Sequence, residues 1–214
     1  MAGRSRIETV IRHLAAGLPD SVACMVERPS LLLIDVQREY FTRESPLWIP
    51  DGAQVLERLQ GLLAHARDSG TPVVHVQHHE DAAADVFATG TAMVETMEEV
   101  APAAGEPLVV KHLPGAFDST DLDTLLEAAG ARTVVIGGFM THMCCETTAR
   151  EAQARGFHVV FLTDGTATRD LVGPSGRTIP HDVVHETTLA AQADGFSRLM
   201  GVGELQDELR AGRS

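Results

Sequence analysis

RTVVIGGFMTHMCCETTAREAQARGFHVVFLTDG, residues 132–165, reads as a strand, a helix and a second strand. From Val134 to Phe139 every side chain is apolar or absent. Cys145, Ala149 and Ala152 then recur at helical spacing, and Gly156 stops the pattern. FHVVFLTDG (157–165) is a second apolar run. Strands without alternation are buried on both faces, which predicts a parallel sheet covered by helices. The same rhythm extends outward. SLLLID (30–35), TPVVHVQ (71–77), PLVVKH (107–112) and FSRLMGV (196–202) read as further strands. Val55, Leu56, Leu59, Leu62, Leu63 and Ala66 form a helical stripe closed by Gly70. TDLDTLLEAAG (120–130) reads as a capped helix, and Pro180 opens a last one through about residue 194. The expected fold is α/β: a three-layer α-β-α doubly wound domain, its mainly parallel sheet built of five to six strands. It spans residues 29–214 and follows an N-terminal helical arm, residues 1–28.

The 214 residues are 44% apolar, enough for one substantial core. The formal charge is −13, from 17 Lys+Arg against 30 Asp+Glu, which argues against nucleic acid or an anionic membrane as a partner. No apolar stretch approaches the roughly 20 residues of a spanning helix. The N-terminal segment carries Arg4, Arg6 and Arg12 among Ile7, Val10, Ile11 and Leu14, a pattern of an amphipathic arm that packs, not of a signal peptide. Three cysteines (Cys24, Cys144, Cys145) without framework spacing suit free thiols and a cytoplasmic location.

In open α/β sheets, ligands bind beyond the carboxyl ends of the strands. Asp35 ends the first apolar run, Gln77, His78 and His79 the second, Lys111 the third and Asp164 the fifth. The cysteine doublet follows the fourth. Asp164, in TDGTAT, reads as a cap. Asp35 and Lys111 each follow apolar residues, and unpaired buried charge is costly, so the two are expected to face one another. Either a structural or a catalytic ion pair satisfies that.

Successive helix residues point about 100° apart, so the two thiols face different surroundings. Cys145 lies on the small apolar stripe. Cys144 lies beside it with Thr141 and Thr148, and geometry favours it as the exposed thiol. A thiol in a helix's first turn, near a lysine, is expected to lean towards thiolate. The backbone N–H groups there can receive an oxyanion, and a carboxylate supplies a base.

LLLIDVQREYF, VVKHLPGAFDSTDL and GGFMTHMCCETTAREAQARGFHVVFLTDGTAT together resemble the isochorismatase-like cysteine hydrolases, which include nicotinamidases, carbamoylsarcosine amidase and ureido amidohydrolases. The likeness runs from about residue 30 to about 200, and Gly138, Thr141, Cys144, Thr148 and Ala149 match the family's G-x-x-T-x-x-C-x-x-x-T-A pattern. The resemblance implies an Asp–Lys–Cys triad of Asp35, Lys111 and Cys144. It also implies an oxyanion hole from the backbone N–H groups of Met140 and Cys144, opened by a cis peptide at Phe139–Met140.

The resemblance further implies hydrolysis of a C–N bond in a small amide, carbamoyl or ureido substrate through a thioester. The alternatives are a vinyl ether hydrolase and a binding protein on the same fold. No cofactor is expected. His78, His79 and Asp81 lack the nicotinamidase metal spacing, so no metal is expected either. Tyr40, Trp48 and Phe117 are candidate pocket walls, with Gln77 and His78 at the strand end beside them. His142 is expected to point aside, and residues 170–182, rich in Gly and Pro, to form a lid or a plain connector. Relatives of this kind are usually dimers or tetramers, so a homo-oligomer is expected.

Overall fold

The structure is a computed structural model and describes residues 26–211. The arm expected over residues 1–28, up to residue 25, lies outside the described residues, as does Cys24. Six parallel strands form the main sheet: β1 (Pro29–Ile34), β2 (Val73–His78), β3 (Leu108–Lys111), β4 (Thr133–Phe139), β5 (His158–Ala167) and β8 (Arg198–Met200). Their spatial order is β3-β2-β1-β4-β5-β8. Two short strands, β6 (Leu171–Val172) and β7 (Thr178–Ile179), form a separate antiparallel hairpin.

Alternate residues of the inner strands feed two cores. Leu31, Leu33, Val135, Val160 and Leu162 pack on α1 (Gly52–Ser69), joined by α5 (Val202–Ala211). α1 buries Val55, Leu56, Leu59, Leu62, Leu63 and Ala66, the stripe read from the sequence, and Gly70 ends it in the left-handed conformation at φ 67°. Leu32, Ile34, Val134, Ile136, Val159 and Phe161 face the other way. They meet α2 (Leu122–Ala128) and α3 (Glu146–Ala154) on the opposite side. A last helix, α4 (His181–Gly195), follows Pro180 and leads into β8. No helix among the described residues is long and apolar enough to cross a membrane.

One strand differs from its reading. PLVVKH was expected to be covered on both faces, but β3 is the sheet's edge, and only Val109 and Lys111 turn inward, while Leu108 and Val110 are exposed. An apolar run does not say whether a helix is left to cover its second face.

Chain direction turns between β1 and β4. β2 and β3 lie to one side of β1, and β4, β5 and β8 to the other. That switch point, where loops from neighbouring strands part, is where such sheets open a crevice.

Candidate active site

Asp35 is the first residue past β1, and Lys111 ends β3. Cys144 sits in a wide turn, Thr141–Cys145, that joins β4 to α3 with hydrogen bonds five residues apart, such as Cys145 N–H to Met140 O. The expected plain first helical turn is thus a π turn. Both cysteines are buried in one apolar cluster, Cys145 fully with Ala149 and Ala152 and Cys144 beside Lys111, so the thiol expected to be exposed is almost closed off by packing.

The three groups converge. Lys111 Nζ lies 2.8 Å from Asp35 Oδ2 and 3.3 Å from Cys144 Sγ. Neither Asp35 nor Lys111 exposes any of its side chain, and Cys144 is 4% exposed. Asp35 adopts φ 51°, a left-handed conformation that an aspartate tolerates better than most residues and that turns it off the strand's path. Its N–H stays bonded to Val76 O.

Lys111 Nζ has two further neighbours, His78 Nδ1 and Leu113 O, both at 3.1 Å. An ammonium carries three protons, which go to His78 Nδ1, Leu113 O and Cys144 Sγ, while the Asp35 carboxylate accepts no hydrogen bond among the described residues and is held by charge. The sulfur is the most distant of these neighbours, as its larger radius requires. Burial lowers the lysine's pKa, but the Asp35 carboxylate and the Cys144 sulfur outweigh it, and the net shift is upward. The ammonium therefore stays charged.

The thiol shifts against expectation. Burial pushes the Cys144 pKa up, and the adjacent Asp35 carboxylate pushes it further, while Lys111 opposes both. The resting group is a thiol, not the thiolate expected from its place at a helix start. Desolvation is the part a linear reading misses, because it depends on what closes over the sulfur.

The walls of the site are set by packing. Gly138, at φ 126°, lies where β1 and β4 approach so closely that any Cβ would collide with the Ile34 carbonyl oxygen. The Phe139–Met140 peptide is cis. Thr148 Oγ1 accepts from Ala116 N–H at 3.2 Å, and Glu151 accepts from Phe117 N–H at 3.3 Å, so α3 holds the loop after β3. Gln37, fully buried, binds both backbone groups of His78 (2.8 and 2.9 Å) and the Val94 carbonyl (2.8 Å), locking the ends of β1 and β2 together. Thr141 donates to His185 Nδ1 at 2.9 Å, and His185 Nε2 in turn reaches Thr163 O. Sequence reading missed Gln37 and His185. Both are far along the chain from their partners, and neither stands in a pattern that marks it.

The other candidates scatter. Tyr40 is buried, its ring against Phe87 (5.3 Å) and Phe139 (5.6 Å). Trp48 is half-buried under Arg43, 4.9 Å from its guanidinium. Phe117 corrects its reading as a pocket wall: it is a core side chain, stacked near Phe157 and capped by Arg155. Gln77 is engaged by Thr96 (2.7 Å) and His79 (3.0 Å). His78 turns to Lys111 and Glu80 (2.7 Å), so it braces the ammonium. Among the described residues no three His, Cys, Asp or Glu side chains converge as metal ligands, and His78, His79 and Asp81 form no such group. His142 points aside, 2.6 Å from Thr168 Oγ1. Asp164 caps α5 through Val202 N–H at 2.8 Å. Residues 170–182 form the β6–β7 hairpin, clasped at its base where Asp170 accepts from His181 N–H and Nδ1. A cavity of about 320 Å³ runs from Asp51 and Arg58 to Thr168 and His185. The acid, amine and thiol do not line it.

Reactive groups gathered at the carboxyl edge of a parallel sheet place the chain among the doubly wound α/β hydrolases. An isochorismatase domain matches residues 29–176, well over half of the sequence, and the chain belongs to the isochorismatase family. It is 35% identical over 184 residues to a secreted isochorismatase effector of Verticillium dahliae, covering 86% of this chain and 93% of that one. It is 31% identical over 193 residues to nicotinamidase 3 of Arabidopsis thaliana, covering 84% and 88%. The crystal structure of an isochorismatase from Pseudomonas putida KT2440 superposes with a TM-score of 0.81 at 29% identity, covering 91% of this chain and 97% of that one. This chain is therefore an isochorismatase-family hydrolase.

Proposed function

We propose that the chain is a cysteine-dependent amidohydrolase that cleaves a C–N bond in a small amide, carbamoyl or ureido substrate through a thioester. The observation that carries this reading is the buried ammonium of Lys111, 2.8 Å from an acid and 3.3 Å from a thiol. An amide relative, the nicotinamidase of Arabidopsis thaliana, agrees with C–N chemistry.

The thiol is protonated at rest, so its proton leaves when the substrate arrives. Asp35 accepts it, and the Lys111 N–H already directed at the sulfur stabilises the new thiolate. Cys144 attacks the carbonyl carbon. The oxyanion is received by the N–H groups of Met140 and Cys144, beside the cis peptide. Asp35 returns its proton to the leaving nitrogen, and the C–N bond breaks to give the thioester. Water, deprotonated by Asp35, attacks the thioester, and the sulfur leaves as the proton returns to it. Lys111 keeps the acid and the sulfur together throughout. Free thiols of this kind suit a reducing compartment.

Turnover of a panel of small amides and ureides tests this. Cys144→Ala is expected to lower kcat by at least ~10³-fold, with Cys145→Ala within a few-fold of the parent. A Cys144→Ala protein that still turns over a vinyl ether would replace this reading with acid-only ether hydrolysis. Loss of activity in Cys145→Ala alone would move the nucleophile.

A further inference from the structure

The buried ammonium of Lys111 has more neighbours than protons. Asp35 Oδ2 is the nearest of them, at 2.8 Å, yet the protons go to His78 Nδ1, Leu113 O and Cys144 Sγ. Neither Asp35 oxygen accepts a hydrogen bond among the described residues. The acid is left with open lone pairs, which is what a base requires. The bond to Leu113 ends on the backbone, and the bond to Cys144 on the nucleophile itself. Only the bond to His78 depends on a side chain outside the acid, amine and thiol.

An ammonium can donate to Nδ1 only if that nitrogen carries no proton. His78 is then a neutral imidazole protonated on Nε2, and that N–H points at Glu80 Oε1, 2.7 Å away. Donation runs outward, from Lys111 to His78 to Glu80. Each member is anchored separately. Both backbone groups of His78 bind Gln37, and its ring meets Phe87 edge-on at 5.2 Å. Glu80 N–H bonds to Phe87 O at 2.9 Å, and Glu80 O accepts from Thr89 N–H and Oγ1 at 3.2 and 2.6 Å. The His78 side chain is 12% exposed and that of Glu80 44%. An ion pair so open to solvent adds little to folding, so stability does not account for the arrangement.

We propose that Glu80 and His78 are positioning residues for the base. The carboxylate fixes the tautomer of the imidazole, and the imidazole draws one ammonium proton away from Asp35, which stays free to take the thiol proton. The proposal rests on the cysteine-hydrolase reading above. Without His78, the three protons of Lys111 face Leu113 O, Cys144 Sγ and Asp35 Oδ2, and one turns to the acid. Asp35 becomes a weaker base towards thiol and water, while the sulfur keeps its own N–H. Both residues act through Lys111, so the effect falls on kcat and not on KM.

Two measurements test this. The first is turnover of the best amide or ureide of the panel. His78→Leu is expected to lower kcat by ~100-fold with KM within a few-fold of the parent, and Glu80→Ala to lower it by ~10-fold. His78→Asn places a carbonyl oxygen near the position of Nδ1 and is expected to recover kcat to within ~10-fold of wild type. Cys144 alkylation by iodoacetamide should stay within a few-fold in all three variants. A rise in KM at unchanged kcat, or alkylation that falls in step with kcat, would overturn the proposal. The second measurement needs no turnover. The ¹⁵N NMR spectrum of histidine-labelled protein at neutral pH, with His78 assigned by its loss in His78→Asn, is expected to show a proton on Nε2 and none on Nδ1. A proton on Nδ1 would overturn the proposal whatever the kinetics. The expected tautomer in a protein that hydrolyses no amide would uphold the hydrogen-bond order and discard the cysteine-hydrolase reading.

Discussion

At the residue scale, the two adjacent cysteines have separate fates. Cys145 is closed into an apolar core, and burial holds its pKa well above that of an ordinary thiol. Cys144 is also raised, by burial first and Asp35 second, but it has Lys111 beside it to stabilise the charge once the proton goes. A folded pKa above the ordinary value means that the thiol form persists through neutral pH. Alkylation of Cys144 by iodoacetamide, followed by mass spectrometry, is therefore expected to accelerate by about tenfold per pH unit through neutrality and beyond pH 8.5, with Cys145 much slower. A plateau near neutral pH would show a preformed thiolate and reverse the order of proton transfer argued above.

At the scale of elements, the sheet edge is held by charge as well as by packing. Glu106, just before β3, accepts two bonds from Arg67 at the end of α1 (2.8 Å each), one from Ala103 N–H and one from His75 on β2. Arg67 first, with the Ala103 N–H and His75 assisting, draws the Glu106 pKa from 4.5 down to about 2. A depressed carboxylate stabilises the fold above its unfolded pKa, and the contribution is lost as pH falls from 4.5 towards 2. Arg67 is 36% exposed, so solvent screening reduces the full linkage value to about 1–2 kcal/mol. Glu106→Gln is expected to lower the urea midpoint at neutral pH. The gap to wild type should then close over that acid window. A gap independent of pH would assign the effect to packing. Activity offers an internal control, since Glu106 touches none of the acid, amine or thiol.

For the whole molecule, one core rests on the last helix. α5 buries Val202 and Leu205 beneath α1 and β5. Its Glu208 binds Arg198 on β8 and the Val26 N–H just before β1, and Asp164 caps its start. Ending the chain after Gly201 uncovers those two side chains and is expected to cost about 3–6 kcal/mol, seen as a lower thermal midpoint. Because α5 lies on the face opposite α2 and α3, the site should keep its geometry in whatever fraction remains folded. A truncated protein as stable as the full chain would mean that α1 alone covers this face.

The order of elements, the parallel sheet and the identity of the residues at its carboxyl edge were all legible in the chain. Apolar runs of strand length, helical stripes and glycine stops are local patterns, and local patterns are what a linear sequence records. Asp35 and Lys111 stood out because each directly follows an apolar run, and of the two sulfurs Cys144 was singled out by the resemblance to the family's motif. What only the tertiary structure decided depends on segments distant in sequence: that β3 is an edge, that His78 and Gln37 brace the site, and that Phe117 belongs to the core. The thiol's protonation belongs there too, because desolvation is the work of everything that closes over the sulfur.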